Sequence, residues 1–459
     1  MDFASIYSHK RIGSDKQPTG SRSGFQRDYD RIIFSSAFRR LQNKTQVFPL
    51  PDLSFVHNRL THSLEVASVG RSLGKMVGEQ IAASFKKTSE DAYEFYKYEL
   101  ANVIAAACLA HDIGNPAFGH SGEKAISAYF TENASEKING VALQSFFSEK
   151  EWKDLSQFEG NANALRILTH SFRGRFKGGF GLTYTTIASI LKYPCESVAV
   201  DKRFKHRKKF GFFQSEKDIV QSLAKELTLV SESEEPLSFK RHPFVYLVEA
   251  ADDICYSIID MEDGHRLGIV SREEIVSLFG DVIKSINRPE ENWDKIYKYF
   301  NDIEDKNESI AFLRAKVINV LTLESVSAFL DNQHEILNGN YNNTLVDSIE
   351  QKCEPLKMIG RLSLEKIYQH DTVMQIEIAG YNVMSELLEL FIPALLIEKP
   401  SHKQQMVLKL FPYQFTEFMQ TDSGYLKVMS ALDFLSGMTD TYATEMYRRL
   451  KGIVIPQHG

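Results

Sequence analysis

A histidine and an aspartate, His111-Asp112, close one of the most apolar stretches of this chain, the Ala-rich run 98–112. The run reads as a buried helix, and Gly114, Asn115 and Pro116 break it directly afterwards. Ionisable groups are costly to bury unpaired, so the doublet must coordinate a metal or join a polar network. Adjacent helical residues point about 100° apart. One ion can meet both only between their directions, with other helices completing its shell. Imidazole nitrogen beside carboxylate oxygen suits a divalent transition metal or Mg²⁺.

Other His and Asp residues on apolar helical patterns can complete such a shell. His62 opens a helical stretch, 62–80, in which Leu64, Val69, Leu73, Met76 and Val77 lie near one stripe. Asp252 sits among Ala250, Ala251 and Ile254 in FVYLVEAADDICYSIIDMED. Asp252, Tyr256 and Asp260 follow at i, i+4 and i+8 and share a helix face. His62, His111, Asp112 and Asp252 together offer two nitrogens and two carboxylates. That set can hold one six-coordinate ion with two positions left for water and substrate. Taken singly, such a His is more often a satisfied core residue and such an Asp usually a cap; for the four together, both readings stand on periodicity alone. His120 and Glu123, in FGHSGE, sit at i, i+3 and would be neighbours on a helix, where a carboxylate can orient an imidazole for proton transfer. The bland reading of Glu123 is a charge at a helix N-terminus.

The remaining chain reads as an all-α protein. Long helical stretches are expected at 308–336, 361–398 and 402–451, with any β-hairpin minor. Residues 1–24 read as an N-terminal arm, 25–300 as a helical core, and 301–459 as a C-terminal helical region packed on it. Segments 131–160 and 200–218 read as loops. The second is basic, with Lys202, Arg203, Lys205, Arg207, Lys208 and Lys209 followed by Phe210, Phe212 and Phe213. It can bind single-stranded nucleic acid, cap a polyphosphate, or be a solvated loop with an apolar anchor. Four scattered cysteines without a C-x-x-C pair exclude a disulfide scaffold and a zinc ribbon and suit a reducing compartment. The N-terminus lacks an apolar signal region, and the runs 101–110 and 390–397 are too short to span a bilayer, so a cytoplasmic protein without membrane contact is expected. A net charge of −6 leaves no global footprint for nucleic acid. P-loop, Rossmann and nucleophile-elbow glycine patterns are missing from the sequence.

The segments RLTHSLEV (59–66), LAHDIGNPAFGH (109–120) and VEAADDICYSIIDMED (248–263) resemble the HD-domain superfamily, with its H…HD…D pattern. More specifically they resemble the deoxyguanosine triphosphate triphosphohydrolase family. The likeness extends through residues 22–48, FEGNANALRIL (158–168), LTYTTIASILKYP (182–194), KFGFFQSE (209–216) and DFLSGMTDTYA (433–443). One departure is Ala117, where the family usually has a second proline in GNPPFGH. The resemblance implies an HD-domain helical core. His62, His111, Asp112 and Asp252 would hold a divalent metal (Mg²⁺, Mn²⁺, or Ni²⁺, Co²⁺ or Fe²⁺), with Asp253 the adjacent competitor for the last position. His120 would be the catalytic acid or base, oriented by Glu123. Arg59, Lys192 and Tyr193 would meet the triphosphate and sugar. Gln46 and Asn161 would line the nucleotide pocket. Tyr256 would pack on the deoxyribose, and Asp260 would accept from its 3′-hydroxyl. Arg39, Arg40 and Lys44 flank the helix leading to Gln46. The implied reaction is hydrolysis of deoxynucleoside triphosphates, dGTP foremost, to deoxynucleoside and tripolyphosphate. The family also implies a homo-oligomer and possible nucleotide or nucleic-acid effectors.

Overall fold

Asn58 starts the longest helix, Arg59–Phe85: its side chain accepts from the Thr61 amide while Thr61 reaches back to the Asn58 backbone. The structure, a computed structural model, describes residues 1–14, 21–48 and 56–454. Gly70, Gly74 and Gly78 line the face of this helix that meets Leu100–Ala110, the most extensive helix pairing in the molecule. Leu100–Ala110 is buried at nearly every position, as its sequence requires. Val245–Arg266 crosses the Arg59–Phe85 helix, and Lys306–Asp331 packs on both. These helices form one apolar core.

A second core is centred on Asp371–Leu396, which packs against His120–Glu132, His402–Leu408, Gly424–Ser436 and Asp440–Leu450. Ala125, Ile126 and Phe130 interleave there with Met384, Leu387, Phe391 and Leu432. Among the described residues the β-strands form two antiparallel hairpins, Lys137–Ile138 with Val141–Ala142 and Ser231–Glu234 with Leu237–Phe239, beside a few isolated bridges such as Thr45 with Asn58. The all-α expectation holds.

Several local expectations differ from what the chain does. The 131–160 segment, read as a loop, contains a hairpin and the helix Glu149–Ser156, started by a reciprocal Ser148–Glu151 cap. The long C-terminal stretches are each interrupted. His370 caps a new helix after a π-helical turn over Ser363–Ile367, and Ser423 and Thr439 restart the chain after breaks. Residues 1–14 are docked: Phe3, Ile6 and Ile12 are buried, and Arg11 pairs with buried Asp28 at 2.8 Å. In the 200–218 segment Phe210, Phe212 and Phe213 are core residues. Most of its cations already have carboxylate partners: Arg203 and Arg207 with Asp201, Lys205 with Asp347, and Lys209 with Glu159. Asp371–Leu396 is long and apolar enough to cross a membrane by length and composition, which the short apolar runs in the sequence did not suggest. Half of its apolar window is buried inside the protein against the helices named above, as in a core helix.

Candidate active site

The end of Leu100–Ala110 delivers His111 and Asp112 to the point where Arg59–Phe85 and Val245–Arg266 cross. His62, His111 and Asp112 each present a ligand atom, all within 4.8 Å of one another. Asp252 adds its Oδ1, 3.1 Å from His62 Nε2 and 3.4 Å from His111 Nε2. No such contact exists for Asp253, its neighbour along the helix, among the described residues. His111 Nδ1 lies 2.6 Å from the Cys108 carbonyl, which assigns the proton to Nδ1 and leaves the Nε2 lone pair facing inward. That buried Nε2 has no hydrogen-bond partner. An inward, unpartnered imidazole nitrogen beside two carboxylates fits a divalent cation, and the donor set suits a borderline transition metal or Mg²⁺.

Against its burial, Asp112 and Asp252 push the His111 ring up to about 9, so a cation at Nε2 competes there with a proton. Burial works to raise Asp112, but the Arg59 guanidinium and both imidazoles outweigh it and hold the carboxyl down at about 2. Asp252 likewise lies well below the usual carboxylate range, since His111 and His62 overcome its burial. Burial pushes Asp253 the other way, up to about 8; Lys192 opposes this, and Glu249 and Asp252 add to it. Arg59 donates to Asp112 Oδ2 at 2.7 Å, and Asn115 donates to Oδ1 at 2.5 Å. Both carboxylate oxygens of Asp112 are therefore oriented from outside the ligand cluster.

His120 begins the next helix. Gly119 precedes it at φ +56°, and a Cβ there would come within 2.5 Å of Arg59 Nη2, so the turn demands glycine on two counts. His120 is largely exposed to the cavity, and its Nδ1 lies 2.8 Å from Glu123 Oε2. The other Glu123 oxygen accepts from the Gly160 amide at 2.8 Å. Glu123 is buried, which would raise its carboxyl, but His120 and Lys209 pull it below the ordinary value. An ionised Glu123 holds the proton on His120 Nδ1 and turns Nε2 toward the cavity.

These groups share one cavity of about 640 Å³, within the range of small-ligand sites. Gln46, Asn161, Lys192, Tyr193 and Tyr256 line it with them. Gln46 Oε1 is buried without a partner. Lys192 is pre-positioned by Glu249 at 3.3 Å, and Arg241 grips the same carboxylate at 2.8 Å. Burial would lower the Lys192 ammonium, but Glu249 raises it, so it stays charged. Of the residues expected to hold metal, do catalysis or contact the nucleotide, Asp260 does not line the cavity, and of the flanking and basic-run cations Arg39, Arg40, Lys44, Lys202, Arg203, Lys205 and Arg207 do not line it either. Asp260 is buried one turn beyond Tyr256, where its Oδ2 accepts from the Tyr368 hydroxyl. Tyr368 does line the cavity, stacked on Tyr256.

Sequence reasoning missed Tyr368, Val373, Ile376 and Glu377, which form a cavity wall from the start of Asp371–Leu396 and the turn before it. No motif or periodicity marks them. Glu249 was findable: it lies three residues before Asp252 on the same buried helix, and a buried Glu needs a cation. Lys208 and Lys209 were noted only as members of a basic run, yet both line the cavity.

Residues 59–177 match the HD domain family, and residues 345–449 match the phosphohydrolase-associated domain family. A deoxyguanosinetriphosphate triphosphohydrolase-like protein of Synechocystis is 38% identical over 99% of this chain and 100% of its own length. A protein of the same description from Pseudomonas aeruginosa is 36% identical over 98% of this chain and 99% of its own. A deoxyguanosinetriphosphate triphosphohydrolase of Yersinia pestis is 31% identical, over 93% of both chains.

Proposed function

Because this chain belongs to the deoxyguanosinetriphosphate triphosphohydrolase family of HD-domain, metal-dependent phosphohydrolases, we propose that it cleaves deoxynucleoside triphosphates at the α-phosphorus. The products are deoxynucleoside and inorganic tripolyphosphate, and dGTP is the preferred substrate. The observation that carries this reading is what one cavity brings together: His62, His111, Asp112 and Asp252, the cations Arg59, Lys192 and Lys208, and the side chains of Tyr256, Tyr368 and Glu377.

His62, His111, Asp112 and Asp252 would hold a divalent cation, which would supply Lewis-acid polarisation of a phosphoryl oxygen. Arg59, Lys192, Lys208 and Lys209 offset the polyphosphate charge, and the carboxylates that hold Arg59, Lys192 and Lys209 reduce the reorganisation needed as charge shifts. His120 Nε2, oriented through Nδ1 by Glu123, moves a proton at the α-phosphorus, either from the attacking water or to the leaving ribose oxygen. Tyr256, stacked on Tyr368, packs against the sugar face and leaves no room for a 2′-hydroxyl. Gln46 Oε1 accepts from the sugar or base edge. Glu377 offers a carboxylate to the N1–H and N2–H donors of guanine, a pairing adenine cannot reproduce. A site built around such a hydrogen bond discriminates strongly, because the wrong base leaves the acceptor unpaired.

The test is a panel of the four dNTPs with Mn²⁺ or Mg²⁺ and chromatographic identification of products. Deoxyguanosine with tripolyphosphate, formed fastest from dGTP, is expected. Pyrophosphate or orthophosphate without tripolyphosphate overturns the assigned bond. Equal rates on all four dNTPs overturn the guanine preference.

A further inference from the structure

The run DFLSGMTDTYA, 433–443, supplies none of the reacting groups, yet it ties the cavity walls together. Asp433 accepts from Arg166 Nε and Nη2, both at 2.7 Å, which anchors Gly160–Thr169. The Ser436 carbonyl accepts from Lys44 Nζ at 2.9 Å, and the same buried ammonium donates to the Asn115 carbonyl at 2.5 Å. Asp440, also buried, divides its carboxylate: Oδ2 accepts from the Thr45 amide and Oδ1 from the Phe118 amide, each at 2.8 Å.

Both donors belong to the cavity lining. Thr45 precedes Gln46, and Phe118 stands two residues before His120. Phe118 has φ 61°, a conformation that a side-chain-bearing residue keeps only when its surroundings impose it. Two contacts do so, both from the C-terminal region. Asp440 takes its N–H, and its side chain packs so closely on Gly380 that a Cβ there would approach the Phe118 side chain to 2.4 Å.

We infer that Asp440 is a positioning residue, whose single carboxylate fixes the Gln46 loop and the His120 turn relative to each other. The inference rests on the reaction proposed above. Two backbone donors need two acceptor oxygens, which a carboxylate has and a carboxamide lacks. Asn at this position would aim an NH₂ group at one of the two N–H groups. Asp440 thereby sets the distance between the metal-side chemistry and the nucleoside-side contacts without itself lining the cavity. A displacement of about 1 Å at such a joint can cost about 100-fold in rate.

Asp440→Asn tests this on the full-length protein. Its kcat on dGTP should fall about 10- to 100-fold, with KM changed less than about threefold and bound Mn²⁺ unchanged. Amide hydrogen exchange should accelerate in 41–48 and 112–120 and stay slow in Leu100–Ala110. Unchanged exchange in those two segments, or a kcat within about twofold of the parent, overturns the inference. Should Asp440→Asn fail to fold, Asp440→Glu keeps the charge and both acceptors but lengthens the link by one methylene, and the same readouts decide. A parent protein that cleaves no dNTP overturns the proposed reaction alone, because exchange reports on Asp440 whatever the substrate.

Discussion

Tyr368 donates a 2.7 Å hydrogen bond to Asp260 and lays its ring against Tyr256, with centroids 5.4 Å apart and planes 16° from parallel. A buried carboxyl thus holds one cavity-lining ring, which supports the other. Tyr368→Phe keeps the stack but removes the bond. It should destabilise the protein by about 1–3 kcal/mol, the usual cost of stranding a buried polar group, and raise KM for dGTP severalfold. Urea denaturation and steady-state kinetics check the two effects.

Burial pushes the Asp260 carboxyl up to about 8, with the Tyr368 bond pulling against it. The unfolded chain has a value of about 3.9. Between these values the folded state binds the extra proton, so this group's contribution to stability is full below about pH 4 and is lost as pH rises toward 8. Asp260→Asn cannot ionise. Relative to the variant, the parent should lose more than about 1 kcal/mol between about pH 5 and 8. A gap that stays constant across urea titrations at those pH values would mean that Asp260 is ionised throughout.

Removal of the divalent cation with a chelator should abolish phosphohydrolysis, and Mn²⁺ should restore it. The cation binds the folded state, so the parent's melting temperature should rise with Mn²⁺ concentration. Asp112→Ala should lose both the bound metal, read by elemental analysis, and this thermal response. It also leaves Arg59 without its 2.7 Å partner.

His120→Ala should lower kcat by about 10²- to 10⁴-fold, the range for a positioned proton-transfer group, with metal content retained. Glu123→Gln should give a smaller loss, since the amide oxygen can still accept from Nδ1 but without the charge that holds the ring in place. Equal losses in both variants would count against Glu123 acting through His120.

Arg166 is fully buried and bonded to Asp433 on one side and Glu216 on the other. Arg166→Met strands two carboxylates and should cost about 3–5 kcal/mol. Glu417→Gln, at the part-exposed pair with His170, should cost at most about 1 kcal/mol. Chemical denaturation separates the two.

The His–Asp cluster was legible because each of its residues interrupts an apolar helical pattern, and a buried His or Asp there calls for a partner. Asp260 shows where periodicity misleads. It shares a face with Asp252, but eight residues of helix separate them by about 12 Å along the axis, and Tyr368 occupies the space between Asp260 and the cavity. Tyr368 and Glu377 left no trace in the sequence because their role depends on how Asp371–Leu396 packs on His120–Glu132, a contact no local pattern encodes. The docking of residues 1–14 was hidden for the same reason: Arg11 reads as an arm cation until Asp28 is brought beside it.

Tyr368, Val373, Ile376 and Glu377 fall within ten consecutive residues, while the four candidate metal ligands come from Arg59–Phe85, the end of Leu100–Ala110 and Val245–Arg266. If Glu377 meets the base as proposed, nucleobase choice would reside in one short cassette, separate in the chain from the candidate metal ligands. A graft of 368–377 between relatives, with no other change, is the smallest swap that would transfer selectivity.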